Sequence, residues 1–272
     1  MTAFGSKNMP TTIKYKKYLV APVSVTWFNT SLAPDFDRGS WFHIFRQSVA
    51  LTNLPHQRCL RAEKFVTSIL DLRRPEEELW RDLAAKSCRY EIRKVQKMCE
   101  AGEQVRLSED TDLEEFLILA NNYIQAKGYS QLLKRTDFSR YVSQGCGELI
   151  TVLYHNQLLG GNFYVTDHPA RVRLLYSFNR RLEEEAVATI TGPCMRYLHW
   201  QTMVRRYKPA GYTYYDMGGV DLNRQSQAYG ITQFKRSFGG ELREEWNYVM
   251  ACCSVLARGY ELTQRIRSGR KT

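Results

Sequence analysis

Apolar runs of strand length mark the N-terminal quarter of the chain as β-rich. Residues 17–28 (KYLVAPVSVTWF) predict a strand interrupted by Pro22, and residues 40–50 predict a second strand or a short helix. Residues 64–72 form a third apolar run that has Asp71 at its end. The first fifteen residues or so lack such a pattern and are interpreted as a loose tail.

A helical period replaces the strand pattern after this point. Apolar side chains recur at steps of three and four across residues 75–101, which predicts one amphipathic helix. Pro75 stands at its first position, glutamates fill its first turn and Gly102 ends it. Its apolar stripe comprises Trp80, Ala84, Cys88, Ile92, Val95 and Cys99. The opposite face is basic and comprises Lys86, Arg89, Arg93, Lys94 and Lys97.

The rest of the chain alternates between the two periods. The predicted helices are 108–128, 137–145, 192–211 with Pro193 at its start, 230–240 and 254–269. The predicted strands are three consecutive antiparallel ones within 148–179, then 212–219 and 242–253.

This order of elements indicates an α/β fold with a mixed central sheet and helices on both faces. A helix joins the strand RVRLLYSF to the strand YTYYDMGG, so these two strands should run parallel through a right-handed crossover. We expect two parts, a small β-containing extension over residues 1–63 and the main domain over residues 64–272.

Composition narrows the class of protein without settling its function. The 272 residues carry a net charge of +11, which suits a polyanionic partner such as a nucleic acid, a nucleotide-linked substrate or a phosphate-bearing cofactor, and equally a surface kept basic for solubility. No apolar stretch has the length of a membrane span, and the N-terminus has no secretory pattern, so a cytoplasmic protein is expected. The seven cysteines form no CxxC pair and are expected to be free thiols, with no metal site.

The segment YYDMGGVDLN (215–224) contains the most suggestive chemistry. A buried strand ends on a carboxylate, Asp216, and Gly218 and Gly219 follow. Ligands of open mixed sheets bind beyond the carboxyl ends of parallel strands, where bare glycines allow backbone and ligand to approach. Asp216 could then orient or deprotonate an amine. The alternative is that Asp216 caps a turn and the glycines satisfy its geometry.

Several motifs in the right order resemble the Fem-type, lipid-II aminoacyltransferase-like branch of the GNAT N-acyltransferase superfamily, which includes sugar N-acyltransferases. YYDMGG followed by GITQFKRSFGGEL resembles the family's YD-hydrophobic-GG strand and its FK..FGG segment. ILDLRRPEEELW and RYEIRK resemble its entry to a GNAT unit, and GPCMRYLHWQTM resembles the helix before the YD strand. Together these cover roughly residues 64–250.

The resemblance implies acyl transfer by direct attack of an amine, and it implies roles for particular residues. Lys235 is the first catalytic candidate, as a cation near the reacting carbonyl or a phosphate, and Asp216 is the second. Tyr176 and Asn179 would line a splay between the parallel strands, into which a donor arm inserts. The other binding candidates are Gly218, Gly219, Phe234, Arg236, Phe238, Gly239 and Gly240, with Arg89, Arg93 and Lys94 as phosphate ligands. Packing or a solvated basic face explains several of these equally well.

Three functions stay open at this stage. The first is transfer from an acyl-coenzyme A to the amine of a nucleotide-linked amino sugar or related cell-envelope precursor. The second takes the acyl group from an aminoacyl-tRNA and extends a peptide or peptidoglycan precursor. The third is a catalytically silent nucleic-acid-binding module. The superfamily's pyrophosphate loop is replaced by NRRLEEEAVATITGP, where Gly192 and the start of the following helix remain available for an anion. No coiled-coil arm is present in the sequence. The acyl chain, the acceptor and the oligomeric state are not specified by these patterns.

Overall fold

A computed structural model describes residues 11–17, 21–32, 36–52, 56–182 and 185–269. Contacts group the chain into two units, residues 67–243 in one and residues 1–66 with 244–272 in the other. The C-terminal segment thus groups with the N-terminal one, and the domain boundary at residue 63 stays a prediction.

The larger unit contains a mixed sheet. Its strands are the end of β4 (Cys59–Asp71), β5 (Val105–Ser108), β6 (Gly147–Tyr154), β7 (Gln157–Asp167), β8 (Arg171–Asn179) and β9 (Tyr214–Val220). They lie in the order β4-β9-β8-β7-β6-β5. β5 through β8 are successively antiparallel, whereas β8 and β9 are parallel, as the helical crossover predicts. β5 was not predicted, since its four residues are too short to show a period.

The helices of this unit are α1 (Glu76–Asp82), α2 (Tyr90–Glu100), α3 (Leu113–Ala126), α4 (Thr136–Val142), α5 (Glu185–Gln201) and α6 (Tyr229–Arg236). They cover both faces of the sheet. Phe163 and Tyr164 are neighbours on β7 and therefore point to opposite faces. Phe163 contacts Phe138 of α4, whereas Tyr164 belongs to the core cluster that includes Leu198 of α5.

Two predicted helices differ in the structure. The helix expected over residues 75–101 is broken, because Leu83 and Ala84 are extended and the Ala84 N–H donates to the Ser237 carbonyl. A π-helical turn, Ala85–Arg89, then leads into α2. The helix expected to begin at Gly192 instead includes residues 185–201, with Pro193 inside it, and continues into a second π-helical turn, Thr202–Tyr207. Gly192 is therefore no helix terminus, and the anion site expected there is wrong.

The smaller unit contains β1 (Thr12–Lys17), β2 (Ala21–Trp27), β3 (Phe42–Ser48), most of β10 (Glu241–Ala251) and α7 (Ser254–Gly269). β1 pairs antiparallel with β2, β2 parallel with β3, and β3 antiparallel with β10. Thr12–Lys17 is thus a strand where a loose tail was expected, and residues 1–10 lie outside the described residues. Phe45, Leu51, Tyr248 and Met250 form one core cluster of this unit.

Candidate active site

The end of β9 is the centre of the candidate site. β8 and β9 pair from Arg171 with Tyr214 to Arg173 with Asp216, and both strands continue beyond these pairs. Residues 174–179 of β8 and 217–220 of β9 therefore border a splay at the carboxyl ends of two parallel strands, the place where ligands bind in such sheets. Gly218 and Gly219 lie on this stretch, and Asp216 immediately precedes it. β9 continues to Val220, so the strand does not end on Asp216 as expected.

Asp216 is fully buried, and both of its carboxylate oxygens have partners. Its Oδ1 accepts hydrogen bonds from the Thr67 hydroxyl and, at 2.7 Å, from the Gly218 N–H. Its Oδ2 lies 2.5 Å from Arg171 Nη2 and 3.8 Å from Arg173 Nε. A carboxylate so engaged has little freedom to take a proton from an amine. The packing therefore favours the orienting role of Asp216 over the role of base.

Arg171 and Arg173 were missed at the sequence level. Their side chains are 7% and 15% exposed, although arginines in a strand usually point to solvent. A signal was present: alternate residues of a strand share one face, so RVR places both arginines on one side of β8. Without the register of β8 against β9, nothing in the sequence indicates that this side faces Asp216.

Lys235 lies beside the same strand end. The loop after β9 is fixed to α6 by Thr232, whose hydroxyl accepts from the Asp221 N–H and donates to the Asp221 carbonyl, both at 2.9 Å. This places Lys235 Nζ 2.6 Å from the Gly219 carbonyl oxygen. Burial, and secondly the charge of Arg173, lower the pKa of Lys235, Asp216 opposes both effects, and the resulting pKa is about 8. Asp216 and Lys235, the two residues chosen as catalytic candidates, are thus brought together.

Gly218 has a structural reason to be bare. Its φ is +79°, which strains any residue with a side chain, and a Cβ there would lie 3.0 Å from the Leu174 carbonyl oxygen. The same Cβ would lie 3.5 Å from Lys235 Nζ and 3.8 Å from Arg173 Nη2. Gly219 is exposed, and its carbonyl accepts a hydrogen bond from Lys235. The backbone at Gly218 therefore lies beside two cations.

The two residues predicted to line the splay are half-buried on β8. Tyr176 packs against Phe178 and Phe138, with ring centroids 6.0 and 5.3 Å away. The Asn179 side chain accepts a hydrogen bond from the Arg181 N–H at 3.1 Å. Both residues lie beyond the last β8–β9 pair, so their position agrees with the predicted splay, and their contact with a donor stays a prediction.

The remaining candidate residues of the FKRSFGG segment differ in how deeply they are buried. Arg236 is exposed, whereas Phe238 is buried and packs with Phe234 around His199. A Cβ on Gly239 would lie 2.7 Å from the Asp82 carbonyl oxygen, and one on Gly240 would lie 2.6 Å from Ser68 Oγ. These two glycines allow the segment to pack closely against the end of α1 and against β4. Phe238 and Gly239 also line a cavity of about 270 Å³ with Tyr214.

Arg89 is the last residue of the π-helical turn, and Arg93 and Lys94 lie in the first turns of α2. Arg93 is exposed and its guanidinium lies over the Trp80 ring, 5.4 Å from the centroid, whereas Arg89 and Lys94 are half-buried. The structure thus presents them on one helix start, and their binding of phosphate stays a prediction.

A neutral polar network lies on the other face of β9. His199 was expected to be a packed histidine, and it is fully buried. Its Nδ1 lies 2.7 Å from the Tyr215 hydroxyl, which lies 2.9 Å from the Tyr164 hydroxyl. The Asn162 side-chain N–H donates to Tyr164 at 2.9 Å. Burial lowers the pKa of His199 to about 3, so the imidazole is neutral at physiological pH.

The described part of the chain contains neither a metal-binding group of side chains nor a helix suited to span a membrane. No group of three His, Cys, Asp or Glu side chains there is arranged to bind a metal ion. Likewise, no helix among the described residues combines the length and the apolar character that a membrane span needs. The seven cysteines are free thiols, of which Cys88, Cys146 and Cys194 are buried.

Comparisons with known proteins support the fold. No protein-family model and no curated protein sequence matches the chain. Among solved structures, FemX superimposes with a TM-score of 0.54 at 14% identity, over 67% of this chain and 61% of that chain. The C-terminal domain of a putative lysylphosphatidylglycerol synthetase from Agrobacterium fabrum gives 0.47 at 11% identity, over 88% of this chain and 81% of that one. L-PGS from Bacillus licheniformis gives 0.47 at 12% identity, over 85% and 74%.

The chain therefore has a Fem/GNAT-like mixed α/β fold, and this sequence-based prediction is confirmed. The superposition spans less than two thirds of FemX, and identity this low concerns the fold alone. The chemistry has to be argued from the site.

Proposed function

We propose that the protein is an N-acyltransferase. In this proposal it transfers an acyl group from an acyl-coenzyme A thioester to the amine of a nucleotide-linked amino sugar or a related cell-envelope precursor. The observation that carries the proposal is the position of Lys235, a half-buried cation at the point where β8 and β9 part. The aminoacyl-tRNA donor is the alternative, and the Fem-like fold is compatible with both.

The reaction needs little from the protein beyond positioning and charge. The neutral amine attacks the acyl carbonyl carbon, the C–S bond breaks as the thiolate leaves, and the amine's proton passes to the thiolate or to solvent. Protonated Lys235 stabilises the negative charge that develops on the carbonyl oxygen. Asp216 holds Arg171 and the backbone of Gly218, which fixes the strand end on which Lys235 rests.

The binding candidates receive roles consistent with their positions. Tyr176 and Asn179 would contact the donor arm within the splay, and Phe234 and Phe238 would support the acceptor side. Gly239 and Gly240 hold that segment in place, and Arg236 at its surface is available to the acceptor. Arg89, Arg93 and Lys94 would bind a phosphate of the nucleotide or of coenzyme A.

The test is turnover as a function of pH in two variants of Lys235. We expect Lys235→Ala to lower turnover at least roughly tenfold, about 1.4 kcal/mol of transition-state stabilisation, while the protein still folds. The kcat/KM of the wild type should fall as pH rises through about 8, because Lys235 of the free enzyme loses its proton. Lys235→Arg keeps the charge, so its decline should begin at higher pH.

The donor is decided in the same assay by supplying acyl-coenzyme A and aminoacyl-tRNA in separate reactions. Arg224→Ala serves as the control, since Arg224 is an exposed residue of the loop between β9 and α6. Wild-type turnover in a normally folded Lys235→Ala protein would remove the role assigned to the lysine. Transfer from neither donor would contradict the acyltransferase proposal.

A further inference from the structure

Two cations of different elements converge on one bare position of the backbone. Arg173 comes from β8 and Lys235 from α6. Their terminal nitrogens lie 3.8 and 3.5 Å from the point that a Cβ on Gly218 would occupy. Lys235 is only half-buried and Gly219, the residue after Gly218, is exposed, so the lysine side of this pair is accessible to solvent. Two cations so placed suit a group with several oxygen atoms and a negative charge.

The local charges point the same way. Asp216 is 2.5 Å from Arg171 and 3.8 Å from Arg173, so its closest ionic partner is Arg171. Arg173 in turn lowers the pKa of Lys235, which means that the two cations repel each other. His199, which also lies close to Lys235, is neutral. An anion between Arg173 and Lys235 would relieve their repulsion, since opposite charges at such distances attract strongly in partly buried sites.

We propose that Arg173 and Lys235 together bind an oxyanion of the amine acceptor, either a carboxylate or a phosphate, next to the reacting amine. The assignment to the acceptor rests on the proposed function. A coenzyme A donor carries its phosphates at the far end of the pantetheine arm, away from the reacting thioester.

The acceptor is then an amine that carries an acidic group close to it. Arg173 is the residue that selects for this acidic group. Arg89, Arg93 and Lys94 lie at the start of a different helix and serve a different phosphate in the proposal above. The two proposed anion sites can therefore be tested separately.

Chemical labelling of Lys235 tests the site without any assay of acyl transfer. An amine-reactive acetylating reagent modifies only the deprotonated lysine, and mass spectrometry follows the rate at Lys235 and at Lys97, an exposed lysine of α2. Rates are measured at pH 8 in chloride, in inorganic phosphate and in acetate at equal ionic strength. A bound anion keeps Lys235 protonated and shields it. We expect phosphate or acetate to slow its labelling roughly threefold or more, with Lys97 unchanged.

Variants of Arg173 connect the effect to the proposed site. Arg173→Gln should abolish the slowing by either anion, and Arg173→Lys, which keeps the charge, should retain part of it. The more effective of the two anions identifies the acidic group of the acceptor. Equal slowing in the wild type and in Arg173→Gln would overturn the proposal, as would no slowing in the wild type.

The site and the proposed function fail in different ways. Acyl transfer in the wild type without protection of Lys235 by either anion would remove the site and leave the acyltransferase standing. Protection that depends on Arg173, in a protein that transfers from neither donor, would keep an anion site and contradict the proposed reaction.

Discussion

Tyr215 and Asp216 are consecutive residues of β9, and the two faces of that strand differ in their polar groups. Tyr215 points to neutral partners, His199 and Tyr164, and all three are buried. Asp216 points to charged partners, Arg171 and Arg173, and Lys235 lies just beyond it. The first group is enclosed in the core. The second adjoins exposed Gly219 at the parting of β8 and β9.

The difference separates polar groups that stabilise the fold from charged groups that are available to a ligand. A buried neutral network stabilises a fold when its members satisfy one another, and it needs no outside ligand. Two neighbouring cations that repel each other at an opening are costly, and a fold that keeps them suggests a use for the charge. On this reasoning Asp216 has both a structural and a functional role. It anchors the arginines, and it belongs to the part of β9 that supports Lys235.

The largest effect is expected where a charge is removed from the buried group. Asp216→Asn keeps the shape of the side chain but leaves Arg171 without its 2.5 Å carboxylate partner. Breaking a buried ion pair on one side costs about 3 kcal/mol or more. We expect the free energy of unfolding, measured in urea, to fall by this amount. Arg224→Gln is the control for loss of a surface charge, and a normal unfolding midpoint for Asp216→Asn would show that the pair contributes little.

The neutral network should make the free energy of unfolding fall at acidic pH. The folded protein holds His199 uncharged down to about pH 3, whereas the unfolded chain protonates this histidine below about 6.5. Protons thus bind the unfolded state first, and stability is lost as pH falls through this window. The contribution of His199 is up to about 1.4 kcal/mol for each pH unit.

The measurement is the free energy of unfolding from pH 7 to 4.5, for the wild type and for His199→Gln. The variant lacks the titrating group, so its stability should depend less steeply on pH. Identical slopes would mean that His199 is not held neutral by the fold.

A smaller loss is expected from the hydroxyl that connects the network. Tyr215→Phe removes the partner of both His199 Nδ1 and the Tyr164 hydroxyl while the ring stays packed. A buried hydrogen bond left unmade costs about 1–3 kcal/mol. Turnover per folded molecule should not change, in contrast to Lys235→Ala. A loss of turnover equal to that of Lys235→Ala would abolish the distinction between the two faces.

Sequence patterns anticipated the sheet with its parallel pair and a strand that contains Asp216, because periodicity and the order of elements carry that information, and the family resemblance singled out Lys235. They did not anticipate the break at Ala84, which depends on a hydrogen bond to Ser237, more than 150 residues away. Arg173 was also missed, since its meaning depends on the register of β8 with β9. Long-range pairings of this kind leave no trace in a local pattern.

The smallest effect on stability is expected at Gly219, and it sharpens the comparison within the charged face. Gly218 has a φ of +79° and approaches the Leu174 carbonyl, so Gly218→Ala should cost about 1 kcal/mol or more of stability. Gly219 is an exposed strand residue, so Gly219→Val should change the free energy of unfolding by about 0.5 kcal/mol or less. If a substrate meets the backbone here, the same valine should raise KM several-fold, because it adds bulk at an exposed residue whose carbonyl is bound by Lys235. Urea unfolding and steady-state kinetics on both variants separate the two glycines. A destabilised Gly219→Val protein with normal KM would make Gly219 structural, like its neighbour, and would leave the cations as the only part of the site open to a ligand.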